Sequence, residues 1–352
     1  MTQKGLKPVI TTIIPTFRRP ELLKRAIRSA LSQTYPHIKV CVYDNASGDE
    51  TTSVVKKISE EDSRISYHLH PENIGMEANI LYGMERVDSP FFSFLSDDDV
   101  LLPEFYETAM SNFEKFPHSG FFAGLTITMT EEGKVQYVPL ASWQREGHYL
   151  PPEGLYKMIG GDHPTWTGVV FRRDVLNDIG TLDTDVGAPQ DLDYQLRVGA
   201  HYSYVVSKKP SAILLAHPAS YSGRADYHSI WPGWLKMIRN LKEDEELSLE
   251  VRCKAEKMLI DHMIMMLFKI GVKSIESKDL KDIHKATEVL KNYSNLTNKL
   301  YFMYLIASFC QSFPFCYKFL VWTNKVRWFI KRDLSQNLQK QFGHYVKFLS
   351  LS

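Results

Sequence analysis

Apolar positions in the first hundred residues fall into short runs, each ending at a polar turn. Residues 9–14 are mostly β-branched and stop at Pro15; 38–43 and 65–69 are further runs, and 91–95 reads FFSFL. β-branched and aromatic side chains suit a pleated, half-buried surface, and the unbroken apolar 91–95 run predicts a central strand. The intervening stretches read as helices. Residues 20–33 open at Pro20, whose missing N–H is harmless in a first turn. The chain turns over 44–49, where Ser47 or Asp49 suits an N-cap, before a helix through Ile58. A third helix follows the turn at 73–75 and ends near Arg86. Strand–helix alternation at this spacing predicts parallel βαβ units, an α/β sheet covered on both faces.

The pattern changes after a helix at 103–116. Residues 120–129 and 134–138 are short alternating segments around TEEGK, a hairpin turn. A strand is expected at 166–171, a helix from about 189 and a last strand at 212–216. Beyond about 226 nothing resembles a strand, and 245–270 and 277–293 read as helices. The chain therefore divides into an α/β part, 1–225, and a helical part, 226–352. Residues 300–322 approach the roughly 20 apolar residues that span a bilayer, but Gln311, Pro314 and Lys318 interrupt them. Broken helices lying on a membrane, or packed on the α/β part, fit better than a span.

Composition narrows the partners. With 352 residues, 44% hydrophobic and 24% charged, the chain is that of a folded globular protein. Its net charge of +1 creates no global field for nucleic acid, and no such partner is expected. From Lys318 onward seven basic residues stand against Asp333 alone, which suits either an anionic membrane surface or a solvated helix face. The four cysteines show no metal-binding or CxxC spacing; Cys41, inside an apolar run, reads as an inert buried thiol. Residues 9–14 are too short for a signal-peptide core. The expected location is cytoplasmic, peripheral on the inner face of the cell membrane.

The chemistry gathers where apolar runs end. PTFRRP follows 9–14, DNASGD follows 38–43, and SDDD follows 91–95. In open α/β sheets, ligands bind beyond the carboxyl ends of the strands. Asp97, Asp98 and Asp99 are adjacent carboxylates that repel one another unless a cation or hydrogen-bond donors compensate. Hard divalent cations take such oxygens and bridge them to phosphates. The three strand ends predict a site for a nucleotide and a divalent cation, and therefore an enzyme.

Six fragments carry a resemblance: IIPTFRRPELLKRAIRSALSQTYP, VYDNASGDET, PENIGMEANILYGME, FLSDDDVLLPEF, GAPQDLDYQLR and AHPASYS, in that order. Over about the first 222 residues the chain resembles family 2 glycosyltransferases, inverting enzymes with a nucleotide-sugar-binding GT-A fold, which implies a Rossmann-like mixed sheet flanked by helices, here followed by an α-helical C-terminal appendage. The resemblance implies that Pro15, Thr16 and either Arg18 or Arg19 line the nucleotide and its phosphates, with Asn73 and Asp97 also in the donor site. Asp44 would accept the imide N–H of uracil or thymine, favouring a UDP- or dTDP-sugar; a turn aspartate bonding its own backbone is the alternative. Asp98 matches the Mn2+ or Mg2+ ligand. Asp97 would hold ribose or metal, Asp99 would support the site or add a ligand, and His217 would reach metal or diphosphate or be structural. Asp191 matches the general base, with an N-cap role or Asp193 as rivals. Trp166 would line the acceptor pocket or fill the core, and Asp162 and His163 are weaker candidates nearby. Ser96 and Gln190 stand where the family carries acids.

The implied reaction moves a sugar to a glycan or lipid-linked acceptor in surface polysaccharide synthesis. A nucleotidyltransferase would want a Gly-rich loop with a lysine, which TFRRPELL lacks. The lost acids also admit a catalytically weak, carbohydrate-binding relative.

Overall fold

The computed structural model describes residues 9–216, 227–277, 305 and 335–350. In chain order the elements are β1 (Ile10–Thr16), α1 (Pro20–Leu31), β2 (Ile38–Asp44), α2 (Thr51–Glu61), β3 (Ile65–Leu69), α3 (Met76–Met84) and β4 (Phe91–Phe94). The chain continues through β5 (Val100–Leu101), α4 (Phe105–Lys115), β6 (Phe121–Met129), β7 (Val135–Tyr137), β8 (Gly147–Tyr149), α5 (Glu153–Gly160) and β9 (Val169–Arg172). It ends with α6 (Asp174–Asp178), α7 (Gln190–His201), β10 (Tyr204–Leu215), α8 (Tyr227–Lys242) and α9 (Leu249–Ser277), with a 3-10 turn at Trp166–Gly168 and a 3-10 segment at Gly343–Ser350.

One ten-stranded sheet runs β3-β2-β1-β4-β9-β6-β10-β5, with β7 beside β6 and β8 beside β10. The βαβ half is parallel as the alternation predicts: β1 pairs with β2 and β4, and β2 with β3. Beyond β4 the sheet becomes mixed, because β9 enters antiparallel between β4 and β6. After β1 the chain builds outward through β2 and β3, then returns to lay β4 on the other side. This reversal of strand order opens a crevice at the carboxyl ends of β1, β2 and β4.

Helix α1 buries Leu23, Ala26, Ile27 and Ala30, a spacing that puts one apolar stripe on the sheet. Together with Ile14, Val40, Val42, Phe91 and Leu95 they form the core beneath the crevice.

Several expectations shift. The strand expected at 166–171 begins as the 3-10 turn, and β9 starts only at Val169. The last strand starts at Tyr204 rather than 212 and passes through an irregularity between Val206 and Ala212, where Lys208, Lys209 and Pro210 interrupt the apolar pattern. Strand β8 and helix α5 have no counterpart in the sequence reading. The helix expected at 277–293 and all but residue 305 of 300–322 lie outside the described residues.

The chain separates into two compact units. The described residues of one are 9–184, 194–216 and 338–350, which contain the whole sheet; those of the other are 185–193, 227–277, 305 and 335–337. In the second unit Trp234 stacks on His262 at 5.2 Å and Lys242 pairs with Glu256 at 2.8 Å, joining α8 to α9. No helix among the described residues is long and apolar enough to cross a membrane.

Candidate active site

The register of the parallel strands sets the site. Thr16 lies opposite Asp44 across β1 and β2, and Ile13 opposite Phe94 across β1 and β4. The aspartates after β4 therefore emerge beside the end of β1. Thr16 Oγ1 donates to Asp97 Oδ2 at 2.8 Å. One nitrogen of Arg19, Nη1, bridges Asp97 Oδ1 at 3.1 Å and Asp98 Oδ2 at 2.8 Å. Both carboxylates are nearly buried, at 6% and 7% exposure. Burial pushes the Asp97 carboxyl up to about 6, against the opposing pull of Arg19 and with a further push from Asp98. Arg19 in turn is held more firmly charged: burial alone would lower its pKa, and the two aspartates more than offset that.

Asp99 points elsewhere. Its Oδ2 accepts from Thr167 Oγ1 at 2.5 Å and its Oδ1 from the Leu215 backbone N–H at 3.0 Å. Burial, then the neighbouring Asp98, drives its pKa well upward. Asp99 ties the acidic turn to the 3-10 turn and to the end of β10. Neither partner is visible from sequence, because Thr167 and Leu215 lie 68 and 116 residues away.

The loops after β1, β2 and β3 are knitted together. Arg18 takes a left-handed backbone (φ 56°), uncommon for a residue with a Cβ and frequent at functional sites. Its N–H donates to Ser47 Oγ at 2.9 Å and its Nε to the Ser47 carbonyl at 3.0 Å. Pro15 is half-buried inside β1 rather than ending it. Asp44 is fully buried; Oδ1 accepts from the Ser47 N–H at 2.9 Å and Oδ2 from the Tyr67 hydroxyl at 2.6 Å. Asp44 thus makes turn-holding contacts, which take one bond at each oxygen of a carboxylate that can accept more. Asn73 accepts from Asn45 Nδ2 and the Gly75 N–H, both at 3.0 Å, and joins the loops after β2 and β3.

Trp166 is half-exposed, stacked on Phe94 at 4.2 Å with Tyr194 edge-on at 6.1 Å. One face packs on the core, and Trp166 is held at the same turn as Thr167. Asp162 accepts from the hydroxyls of Tyr137 and Ser142, while His163 Nδ1 lies 3.0 Å from the Pro164 carbonyl. Cys41 is buried, and burial raises its thiol pKa, as the inert reading requires.

In the second unit, Asp191 opens α7 half-buried, with its Oδ1 accepting from the Leu192 N–H at 2.8 Å. Its rival Asp193 is fully buried and accepts from Asn240 Nδ2 at 3.0 Å. Gln190, in the position of the lost acid, is buried with Oε1 unpartnered among the described residues. His217 lies outside the described residues.

Sequence reasoning missed a polar ladder on α1. Ser29 Oγ accepts from the Leu101 N–H at 3.0 Å. Just past the helix, Gln33 donates to the Leu102 carbonyl at 2.8 Å and accepts from the Tyr106 N–H at 3.1 Å. Arg25, Ser29 and Gln33 are all buried and spaced by four, so polar residues at i, i+4 and i+8 on the core side of a helix were the available signal.

Comparison with known proteins agrees with this architecture. The family described as Glycosyl transferase family 2 matches residues 11–180. An uncharacterized glycosyltransferase of Rickettsia prowazekii is 32% identical over 247 residues, covering 68% of this chain and 75% of that protein. A Campylobacter jejuni GalNAc(5)-diNAcBac-PP-undecaprenol beta-1,3-glucosyltransferase is 36% identical over 104 residues, 29% of this chain but only 34% of that protein. The crystal structure of S. aureus TarS 1-349 in complex with UDP-GlcNAc superposes with a TM-score of 0.65 at 14% identity, covering 82% of this chain and 81% of the other. That likeness identifies the mixed sheet and its flanking helices as a GT-A fold, and the extent of the Rickettsia match makes this chain a member of glycosyl transferase family 2.

Proposed function

We propose that the chain is a metal-dependent, inverting glycosyltransferase that moves a sugar from a nucleoside diphosphate, UDP or dTDP, to a glycan or lipid-linked acceptor. The observation that carries this reading is the single Arg19 nitrogen lying between Asp97 and Asp98. Two carboxylate oxygens already converge on one positive centre, the donor chemistry of a hard divalent cation such as Mn2+ or Mg2+. Among the described residues no three His, Cys, Asp or Glu side chains group around one point; cations bound with phosphates typically take only one or two protein carboxylates. Asp98 and Asp97 would hold the ion. When bound, it would anchor the diphosphate and stabilise it as it leaves.

The chain's own groups supply the rest. Arg18 and Arg19 offer positive charge to the diphosphate, with the backbone at Pro15 and Thr16 beside it. The end of β2, with Asp44 locked in its turn and Asn73 alongside, receives the base. Trp166 offers an aromatic face to a sugar ring of the acceptor. Asp191 takes the acceptor hydroxyl's proton as that oxygen attacks the anomeric carbon; the bond to the diphosphate breaks on the opposite face, and the configuration inverts without a covalent enzyme intermediate. Asp191 is more open than Asp193, which supports this choice.

The C. jejuni relative's name specifies an undecaprenol-linked acceptor, and an acceptor of that kind fits the aromatic and basic stretch from Leu300 to Arg332. We place the reaction in surface polysaccharide synthesis at the cytoplasmic face of the membrane; carbonate extraction of the full chain tests the attachment. Donor hydrolysis tests the chemistry. Release of UDP from UDP-sugars with Mn2+, lost with EDTA, is the expected result. Metal-independent release, or none from any UDP- or dTDP-sugar, would overturn it.

A further inference from the structure

The first rung of the α1 ladder does more than its neighbours. Arg25 is 8% exposed, and its Nη2 donates to the backbone carbonyl of Asp98 at 3.2 Å. Its Nη1 faces the Glu131 carboxylate at 3.2 and 3.1 Å and the Leu349 carbonyl at 3.3 Å. One planar guanidinium thus joins the acidic turn, the β6–β7 turn and the segment 338–350. A fork of fixed donors holds several acceptors in one geometry, which a lysine ammonium does not reproduce.

The segment is hooked to the same β6–β7 turn. Gln339 accepts from the Val135 N–H at 2.8 Å and donates to the Gly133 carbonyl at 3.0 Å, replacing a missing strand partner. Gly133 has a left-handed backbone (φ 81°), and a Cβ there would meet Val346 Cγ2 at 2.5 Å, so the segment packs against bare backbone. Phe342 and Leu349 are buried. Gln339 and Val346 hold the segment, the segment presents Leu349 to Arg25, and Arg25 holds Asp98.

We propose that Arg25 is a positioning residue for the acidic turn, and that the docked segment 338–350 sets the position of Asp98 through it. The consequence for metal rests on the cation site of the proposed function; the consequence for the turn does not. Charge alone does not require this arrangement, since Glu131 would neutralise Arg25 without the Leu349 carbonyl.

Hydrogen exchange on the full-length chain, free of metal, tests the link. The variants are Arg25→Lys, Val346→Asp and Gln339→Ala, of which the last two touch neither the acidic turn nor Arg25. In the native protein the Asp99 and Leu101 amides donate to the Ser96 carbonyl and Ser29 Oγ. In all three variants their exchange should quicken, by roughly tenfold in Arg25→Lys, while amides of the β1–β2 pair keep their protection. A second arm measures Mn2+ binding with UDP present by electron paramagnetic resonance, where Arg25→Lys should weaken affinity roughly three- to tenfold.

The proposal falls if Val346→Asp and Gln339→Ala free 338–350 but leave the 95–102 amides unchanged. It also falls if 338–350 stays protected in both variants, or if Arg25→Lys leaves the turn's exchange unaltered. Wild-type protein that bound no Mn2+ with UDP would instead overturn the metal reading, and the exchange data would still decide the role of Arg25.

Discussion

Replacing Asp97 with asparagine should make the protein more stable at neutral pH. Burial raises the Asp97 carboxyl from 3.8 to about 6, even with Arg19 and Thr16 pulling the other way. The folded protein therefore holds a proton that the unfolded chain releases between those values. Stability falls as pH rises through that window, and the full penalty is present above it. A shift of about two units corresponds to about 3 kcal/mol, with about half already felt at pH 5. Asparagine removes the titration and can keep both contacts: its oxygen can accept from Arg19, and its amide can donate to the Thr16 hydroxyl, which rotates to accept. Urea unfolding from pH 5 to pH 8 in EDTA measures the effect. The stability advantage of Asp97→Asn over wild type should grow by about 1–1.5 kcal/mol across that range. An advantage that stayed flat, or shrank with rising pH, would show that the native carboxylate is not strained by burial and would refute the reasoning.

Asp98→Asn should abolish metal-dependent donor hydrolysis and weaken Mn2+-dependent nucleotide binding while leaving the thermal transition in place; unchanged Mn2+ dependence would rule out Asp98 as the ligand. Asp191→Asn should lower transfer by about 10²–10⁴-fold with nucleotide affinity retained in a titration against UDP. Asp193→Asn should instead lower the melting temperature, because it alters a buried carboxylate bonded to Asn240, and transfer measured below that temperature should change little. Gly168→Ala would bring a Cβ within 2.4 Å of Thr126 Oγ1; overpacking of this kind costs about 1–3 kcal/mol, readable in urea unfolding.

Local pattern was enough for the parallel half of the fold. β-branched runs separated by helical spacing dictate βαβ units, and the right-handed crossover leaves little freedom in where β1, β2 and β4 end. The positions of Thr16, Asp44 and Asp97 beside one crevice follow from that; the family rests instead on the motifs at those strand ends, not on the pattern of runs. The resemblance implied a mixed sheet, but which strands reverse was not legible, since nothing within VVFR states that β9 enters antiparallel between β4 and β6. Nor was the division of labour among three consecutive aspartates. Asp97 and Asp98 share Arg19, whereas Asp99 faces Thr167 and Leu215, and identical side chains acquire different roles only from the donors that folding brings to them. Asp191 and Asp193 differ in the same way: two residues apart on one helix, they face different surroundings, and burial beside Asn240 distinguishes them. The polar residues Arg25, Ser29 and Gln33 were plain in the chain, but their partners at Asp98, Leu101, Leu102 and Leu349 come from distant segments. Side-chain periodicity is a local property of the backbone; hydrogen-bond satisfaction is settled by contacts far apart in sequence, and only the tertiary structure supplies them.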